Sequence, residues 1–204
     1  AVIPVSLFGN PLDYDQLMRL KEKYDVYIVE DAACSIGAKF NGEYVGNTAD
    51  ISVFSLHPRK FITTGEGGMI TTNDANWAKW IESYKHFGMG DSASRASTQF
   101  ERIGTNYKLS NIQAAVGLAQ MQKIDILLDR RRQFATRYYE MLANRPGIGL
   151  PKITAKGEHS WQSCCIFVQN RDEILRKMME KGIETQIGTY ALHMHKAYND
   201  NPNC

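Results

Sequence analysis

The chain has 204 residues, of which 43% are hydrophobic and 23% are charged, proportions that are ordinary for a globular protein. Its formal net charge is +2, from 24 Lys and Arg against 22 Asp and Glu, so neither nucleic acid nor an anionic membrane is expected as a partner. No apolar run approaches the roughly 20 residues that span a bilayer, and the start has no signal-peptide pattern, so we expect a cytoplasmic protein.

The four cysteines form neither a metal-binding nor a disulfide pattern. Cys164 and Cys165 are adjacent and would point to opposite faces of a strand, while Cys34 and Cys204 lie far from them in the chain. Because there is no CxxC spacing and no repeating arrangement, we interpret all four as buried free thiols in a reducing cytoplasm. We predict no metal site.

Strands and helices are predicted to alternate through the first part of the chain. Short apolar runs that are typical of strands occupy residues 2–5, 26–29, 51–56 and 68–72. A helix is predicted from a cap at Asp13 or Asp15 to Lys23, and a second one over residues 74–87. Asn41-Gly42 predicts a tight hairpin turn between residues 38–40 and 44–45. This alternation indicates an α/β fold with a largely parallel sheet.

A long helix is predicted after position 110. Ser110 and Gln113 have the spacing of a capping box, and the helical pattern continues to about Ala143. We interpret the run Arg130-Arg131-Arg132 within it as a solvated helix face rather than a nucleic-acid patch, because aspartates lie beside it. Asn144-Arg145-Pro146-Gly147 ends the helix and marks a domain boundary.

Two further segments are predicted after this boundary, and one loop before it is ambiguous. Residues 161–169 have the pattern of a strand, and residues 172–181 that of a helix. The polar loop 89–99 has no hydrophobic period. It is either a flexible excursion or a contact with substrate or partner.

Lys60 is the residue with the most informative surroundings. It lies in a Thr- and Gly-rich loop between two predicted strands, and Asp31 follows a third strand. A lysine and a carboxylate at strand ends are what a pyridoxal phosphate (PLP) enzyme needs, because the amine forms a Schiff base and the carboxylate keeps the pyridine nitrogen protonated. A surface lysine and a turn aspartate are the simpler alternatives. Glu30 would point to the opposite side of the strand and act as a structural partner.

Three motifs occur in order along the chain: Val29-Glu30-Asp31-Ala32-Ala33, the stretch 55–68 around Lys60, and the stretch 104–115. Together they resemble the DegT/DnrJ/EryC1/StrS family of PLP-dependent sugar aminotransferases. The resemblance implies an α/β fold of the aspartate-aminotransferase type (fold type I). Residues 1–143 would be the later part of the PLP-binding large domain, with a mostly parallel sheet, and 147–204 part of a small α+β domain. Full-length members are about twice this long, so we expect a middle part of an enzyme.

The resemblance also implies roles for individual residues. Lys60 would hold PLP and move a proton on the substrate, Asp31 would bind the pyridine nitrogen, and Ser55 would bind the cofactor phosphate. Asn106 would reach the phosphate in the other subunit of a homodimer with shared active sites. Many relatives have Gln or His where this chain has Cys34, so Cys34 either packs against the cofactor or is core.

The function implied by the resemblance is transamination. An amino-acid donor such as glutamate would supply the amino group, and a keto sugar linked to a nucleotide would accept it. One alternative is a sugar dehydratase of the same fold, because some relatives use histidine in place of the lysine. The other alternative is a truncated fragment without catalytic activity.

Overall fold

The computed structural model describes residues 1–92 and 94–199. The strands, in chain order, are β1 (Val29–Asp31), β2 (Lys39–Phe40), β3 (Glu43–Tyr44), β4 (Ile51–Ser55), β5 (Gly68–Thr71), β6 (Ile148–Gly149), β7 (Gly157–Glu158) and β8 (Phe167–Val168). The α-helices are α1 (Tyr14–Tyr24), α2 (Ala75–Lys85), α3 (Asn111–Met121), α4 (Ile124–Leu142), α5 (Arg171–Glu180) and α6 (Lys196–Asn199).

A mixed sheet built around β1 and β4 confirms the α/β class. β1 pairs with β4 in parallel, and the first residues of the chain add parallel bridges from Val2 to Ile28 and from Val5 to Asp31. β5 pairs with β4 in the antiparallel sense. This departs from the largely parallel expectation because a loop, rather than a crossover helix, connects β4 to β5.

The local signals for helix starts and for the hairpin are confirmed. Asp13, not Asp15, caps α1, and its carboxylate accepts the Gln16 N–H at 3.1 Å. Ser110 and Gln113 form the predicted capping box at the start of α3. Asn41-Gly42 joins β2 to β3, and both residues have positive φ, as a tight hairpin turn requires.

The single long helix predicted to Ala143 is wrong, because the chain divides it into α3 and α4. Between them, the Lys123 N–H bonds to the Gln120 carbonyl three residues back instead of four, which tightens the turn. No Gly or Pro marks this position. The break is only two residues long and leaves the spacing of the apolar residues nearly unchanged. The hydrophobic pattern of the sequence therefore predicts one continuous helix.

The core beside the sheet contains a fully buried carboxylate. Tyr14 of α1 packs edge-on against Phe40 with ring centroids 5.5 Å apart. Glu30 accepts hydrogen bonds from the hydroxyls of Ser6, Tyr14 at 2.7 Å and Ser52 at 2.9 Å. Burial, followed by the Glu30 charge, raises the pKa of Tyr14. Glu30 is therefore a structural partner, on the side of β1 opposite Asp31 as predicted.

The segment 161–169 is not the continuous strand that its composition predicts. Trp161 has a φ of 55°, in the left-handed region, and only Phe167–Val168 forms a strand. Cys164 and Cys165 precede this strand and do not lie on it. Cys164 is exposed and Cys34 is half-buried, so the prediction of buried thiols is wrong for both. Cys204 lies outside the described residues.

The fold divides into two compact units. One comprises residues 1–140 with 152–164, and the other comprises residues 141–151 with the chain from residue 165 onward. In the first unit β7 pairs with β2, and in the second β6 pairs with β8. The boundary between 1–143 and 147–204 remains a prediction. Within the described ranges, no helix combines the length and apolarity needed to cross a bilayer.

The stability of the first unit is expected to fall in mild acid because of His159. This histidine is buried and stacks on Trp161 with ring centroids 3.9 Å apart, and its Nδ1 accepts the Trp161 N–H at 2.8 Å. Burial lowers its pKa from 6.5 to about 4, so the folded state binds fewer protons between these values. Unfolding free energy should therefore decrease by about 3 kcal/mol as pH falls through this window.

Urea unfolding at several pH values checks this prediction. His159→Asn keeps a side-chain acceptor near the Trp161 N–H but does not titrate. The variant should therefore lose less stability than the unchanged protein between pH 6.5 and about 4. Equal losses in the two proteins would contradict the assignment.

Candidate active site

The loop between β4 and β5 carries Lys60 and is closed by its own backbone. Ser55 and Gly68 are register partners, so the loop leaves and re-enters the sheet at one point. The Leu56 N–H bonds to the Gly67 carbonyl at 2.9 Å, and the Lys60 N–H bonds to the His57 carbonyl at 2.9 Å. These contacts place Lys60 in a turn just beyond the carboxyl end of β4.

The amine of Lys60 contacts the segment that follows β1. Its Nζ lies 3.2 Å from Cys34 Sγ, and both residues are half-buried. Because β1 and β4 are parallel neighbours, their carboxyl ends meet at the same sheet edge. Ligands of open α/β sheets bind at such an edge. Lys60 and Cys34 are therefore brought together where a ligand is expected.

Asp31 is the last residue of β1 and lies at this same edge. Its backbone is fixed on one side, since its N–H bonds to the Pro4 carbonyl and its carbonyl accepts the Ser6 N–H. Its Oδ1 accepts the Ala33 N–H at 3.0 Å, while Oδ2 makes no hydrogen bond with the described residues. The side chain is half-buried. The turn interpretation of Asp31 is thus correct for one oxygen, and the other oxygen is available to a ligand.

Ser55 and Asn106 occupy different places. Ser55 ends β4, and its Oγ accepts the His57 N–H at 3.3 Å. Asn106 is exposed, forms a backbone bridge with His86, and accepts a hydrogen bond from Lys108 Nζ at 2.6 Å through its Oδ1. Ser55 therefore lies at the same end of the sheet as Lys60, whereas the exposed Asn106 pairs with His86, outside the Lys60 loop.

Three glutamines hold the Lys60 loop, and the sequence linked none of them to it, although it predicted Gln113 as a helix-capping residue. Gln162 accepts the Phe61 N–H and donates to the Arg59 carbonyl, each at 2.8 Å. The other two bind the later part of the loop: Gln120 at the Thr63 N–H and carbonyl, and Gln113 at the Glu66 carbonyl. No local pattern marks Gln162, because it lies about 100 positions along the chain from the groups that it binds.

Arg131 corrects the interpretation of the arginine run as a solvated face. Its guanidinium lies 4.7 Å from the centroid of the Phe61 ring and donates to the carbonyls of Trp161 at 2.7 Å and Gln162 at 3.1 Å. Burial lowers the pKa of Arg131. The residue therefore supports the Lys60 loop and is not part of a solvated surface. Across residues 1–92 and 94–199, no cluster of His, Cys, Asp or Glu is suited to a metal ion.

The fold, with a lysine and a carboxylate at neighbouring strand ends, is that of the PLP-dependent aminotransferases, whose solved structures match with TM-scores from 0.85 to 0.91. The sequence model of the DegT/DnrJ/EryC1/StrS aminotransferase family matches residues 1–204. The chain belongs to this family.

Individual relatives support this assignment at moderate identity. GDP-perosamine synthase of Escherichia coli O157:H7 is 32% identical, over 98% of this chain and 54% of the relative. A Brucella abortus aminotransferase of the family has 32% identity and a TM-score of 0.89, over 98% of this chain and 52% of that one. A Streptococcus pneumoniae structure in its PLP form has 25% identity and a TM-score of 0.85, over 97% and 56%. The chain thus spans about half the length of these relatives.

Proposed function

We propose that the whole protein is a PLP-dependent aminotransferase that moves an amino group from an amino-acid donor such as glutamate to a keto sugar linked to a nucleotide. The observation that carries the proposal is the position of the Lys60 amine, 3.2 Å from Cys34 at the strand edge that Asp31 also occupies. Family membership supports the reaction class. The similarity to a GDP-perosamine synthase supports a nucleotide-linked sugar as the acceptor.

The residues at this edge match the chemical needs of PLP. Lys60 presents a half-buried amine, Asp31 has one oxygen without a hydrogen bond to the described residues, and Ser55 presents a hydroxyl at a strand end. An amine, a carboxylate and a hydroxyl are the groups that bind the carbonyl, the pyridine nitrogen and the phosphate of this cofactor. We therefore assign PLP to this edge.

Each residue then has a distinct task. When bound, PLP supplies an electron-accepting ring that stabilises negative charge on the substrate carbon. Lys60 Nζ anchors the cofactor and, when free, moves a proton at the substrate carbon. Asp31 Oδ2 holds the proton on the pyridine nitrogen, and Ser55 Oγ binds the phosphate. Cys34 Sγ is a weak hydrogen-bond partner, so it packs beside Lys60 without holding the amine tightly.

The remaining parts of the proposal concern assembly and location. Asn106 is exposed and its backbone pairs with His86, outside the Lys60 loop, which suits a residue that serves the phosphate site of a second subunit in a homodimer. The division into a large domain over 1–143 and a small domain over 147–204 belongs to the same proposal. Cys34 and Cys164 are free thiols, which suits a reducing cytoplasm.

Reductive trapping tests the cofactor assignment. The whole protein is incubated with PLP, reduced with borohydride and digested, and the modified peptide is located by mass spectrometry. We expect a single adduct on Lys60. An adduct on another lysine, or none, would refute the assignment.

Product analysis separates the proposed reaction from the alternatives. With glutamate and a nucleotide-linked keto sugar, we expect an amino sugar and the keto acid of the donor. Loss of a sugar hydroxyl without amino transfer would support the dehydratase instead, although Lys60 argues against that reaction. Neither product in a protein that traps PLP would support a binding function without turnover.

A further inference from the structure

The side-chain amide of Gln162 forms hydrogen bonds with the backbone on both sides of Lys60. Its Oε1 accepts the N–H of Phe61, the residue after Lys60, and its Nε2 donates to the carbonyl of Arg59, the residue before it. Both distances are 2.8 Å. One side chain therefore bonds to both peptide groups that flank the proposed cofactor lysine. Such a pair of bonds restricts rotation of the Lys60 backbone about φ and ψ.

The backbone around Gln162, residues 161–163, is itself fixed by hydrogen bonds to other parts of the chain. Arg131 donates to its backbone carbonyl at 3.1 Å and to that of Trp161 at 2.7 Å. The neighbouring backbone is tied to the first residues of the chain, since the Ser163 N–H bonds to the Phe8 carbonyl at 3.2 Å. The same Arg131 guanidinium lies over the Phe61 ring. The segment and the loop are thus joined by a side-chain amide and by a cation over an aromatic ring.

We propose that Gln162 is a positioning residue that sets the direction of the Lys60 amine toward the sheet edge. The proposal depends on the proposed function for the identity of Lys60 as the cofactor lysine. The physical basis of the proposal is the flexibility of lysine, whose side chain has four rotatable bonds. The amine of such a side chain is placed accurately only if the backbone of the lysine is fixed. Without Gln162 the two flanking peptide groups lose a shared partner, and the amine samples directions away from Cys34.

Gln120 provides a matched comparison within the same loop. Its side-chain amide also makes two hydrogen bonds with the loop, one with the N–H and one with the carbonyl of Thr63, three residues after Lys60, and a further one with the Val116 carbonyl of its own helix. Removing either glutamine removes two bonds from the loop. Of these two glutamines, Gln162 bonds to the peptide groups next to Lys60 and Gln120 does not, so a general loss of stability and a loss of lysine positioning are separable.

The experiment compares Gln162→Leu with Gln120→Leu in the whole protein. The first measurement is the rate at which PLP becomes fixed to Lys60 under borohydride, with the site confirmed by peptide mapping. The second is hydrogen exchange at the Phe61 amide in the protein without PLP. We expect Gln162→Leu to slow trapping by about tenfold or more and to speed exchange at Phe61. Gln120→Leu should leave the trapping rate near that of the unchanged protein.

A second variant keeps the test decisive if Gln162→Leu fails to fold. Gln162→Glu retains an acceptor for the Phe61 N–H but loses the donor to the Arg59 carbonyl at neutral pH, and it should slow trapping by a smaller factor. Equal trapping rates in the unchanged protein and in a folded Gln162 variant would overturn the positioning role, as would equal slowing by Gln120→Leu. Failure of the unchanged protein to trap PLP on Lys60 would instead overturn the proposed function.

Discussion

Lys60→Ala in the whole protein is expected to abolish PLP attachment and to lower amino transfer by at least about 10³-fold. The alanine cannot form a covalent bond to the cofactor, and no amine remains at the strand edge next to Cys34 to move the proton. The visible absorbance band of lysine-bound PLP and the rate of amino-sugar formation are the measurements. Both should disappear together.

Two controls make the Lys60 result specific. Lys152→Ala removes an exposed lysine and should leave the spectrum and the rate unchanged. Lys60→Arg keeps a positive charge in the loop but does not supply a nucleophilic amine, so it should behave like Lys60→Ala. A Lys60→Ala protein that retained the lysine-bound absorbance band would show that another lysine holds the cofactor.

Asp31→Asn is expected to lower the rate of amino transfer by about 10²- to 10³-fold while leaving the fold intact. The amide oxygen can still accept the Ala33 N–H, which Asp31 Oδ1 accepts at 3.0 Å. The variant loses the negative charge on the second oxygen, so it no longer holds a proton on the pyridine nitrogen. Steady-state rates and the thermal unfolding midpoint are the measurements.

The control for Asp31 is an aspartate of the same chain that lies away from the strand edge. Asp129 is exposed on α4, and Asp129→Asn should change neither the rate nor the unfolding midpoint appreciably. A fall in the rate of Asp31→Asn that is matched by a large fall in its unfolding midpoint would assign Asp31 a structural role. An unchanged rate would exclude Asp31 as the partner of the pyridine nitrogen.

The residues tested by these variants differ in whether the sequence alone could predict their role. Lys60 and Asp31 are visible in the sequence because each lies next to an apolar run with a recognisable strand pattern, and the ends of such runs are where ligands bind in α/β sheets. Gln162 and Arg131 are not visible in this way. Their partners lie about 100 and 30 positions away along the chain, and nothing beside them indicates the contact.

Predictions of the fold were reliable where a few neighbouring residues decide the structure. The Asp13 cap, the Ser110 capping box and the Asn41-Gly42 turn depend on hydrogen bonds or φ values within four residues. The strand predicted over residues 161–169 failed because Trp161 adopts a left-handed φ of 55°, and single hydrogen bonds to another part of the chain hold the backbone there in place of a strand pairing. The N–H groups of Ser160, just before this segment, and of Ser163, within it, bond to the carbonyls of Gly9 and Phe8.

By itself, the sequence determined the α/β class, the lysine loop and the family resemblance, because apolar periodicity, capping residues and short motifs are local properties of the chain. Only the tertiary structure decided that β5 runs antiparallel to β4, that the Lys60 amine contacts the Cys34 sulfur, and that Gln162 bonds to the backbone beside the lysine. Each of these depends on which distant backbone and side-chain groups become neighbours when the chain folds. Buried polar groups must find partners wherever the packed chain supplies them, and composition does not record that choice.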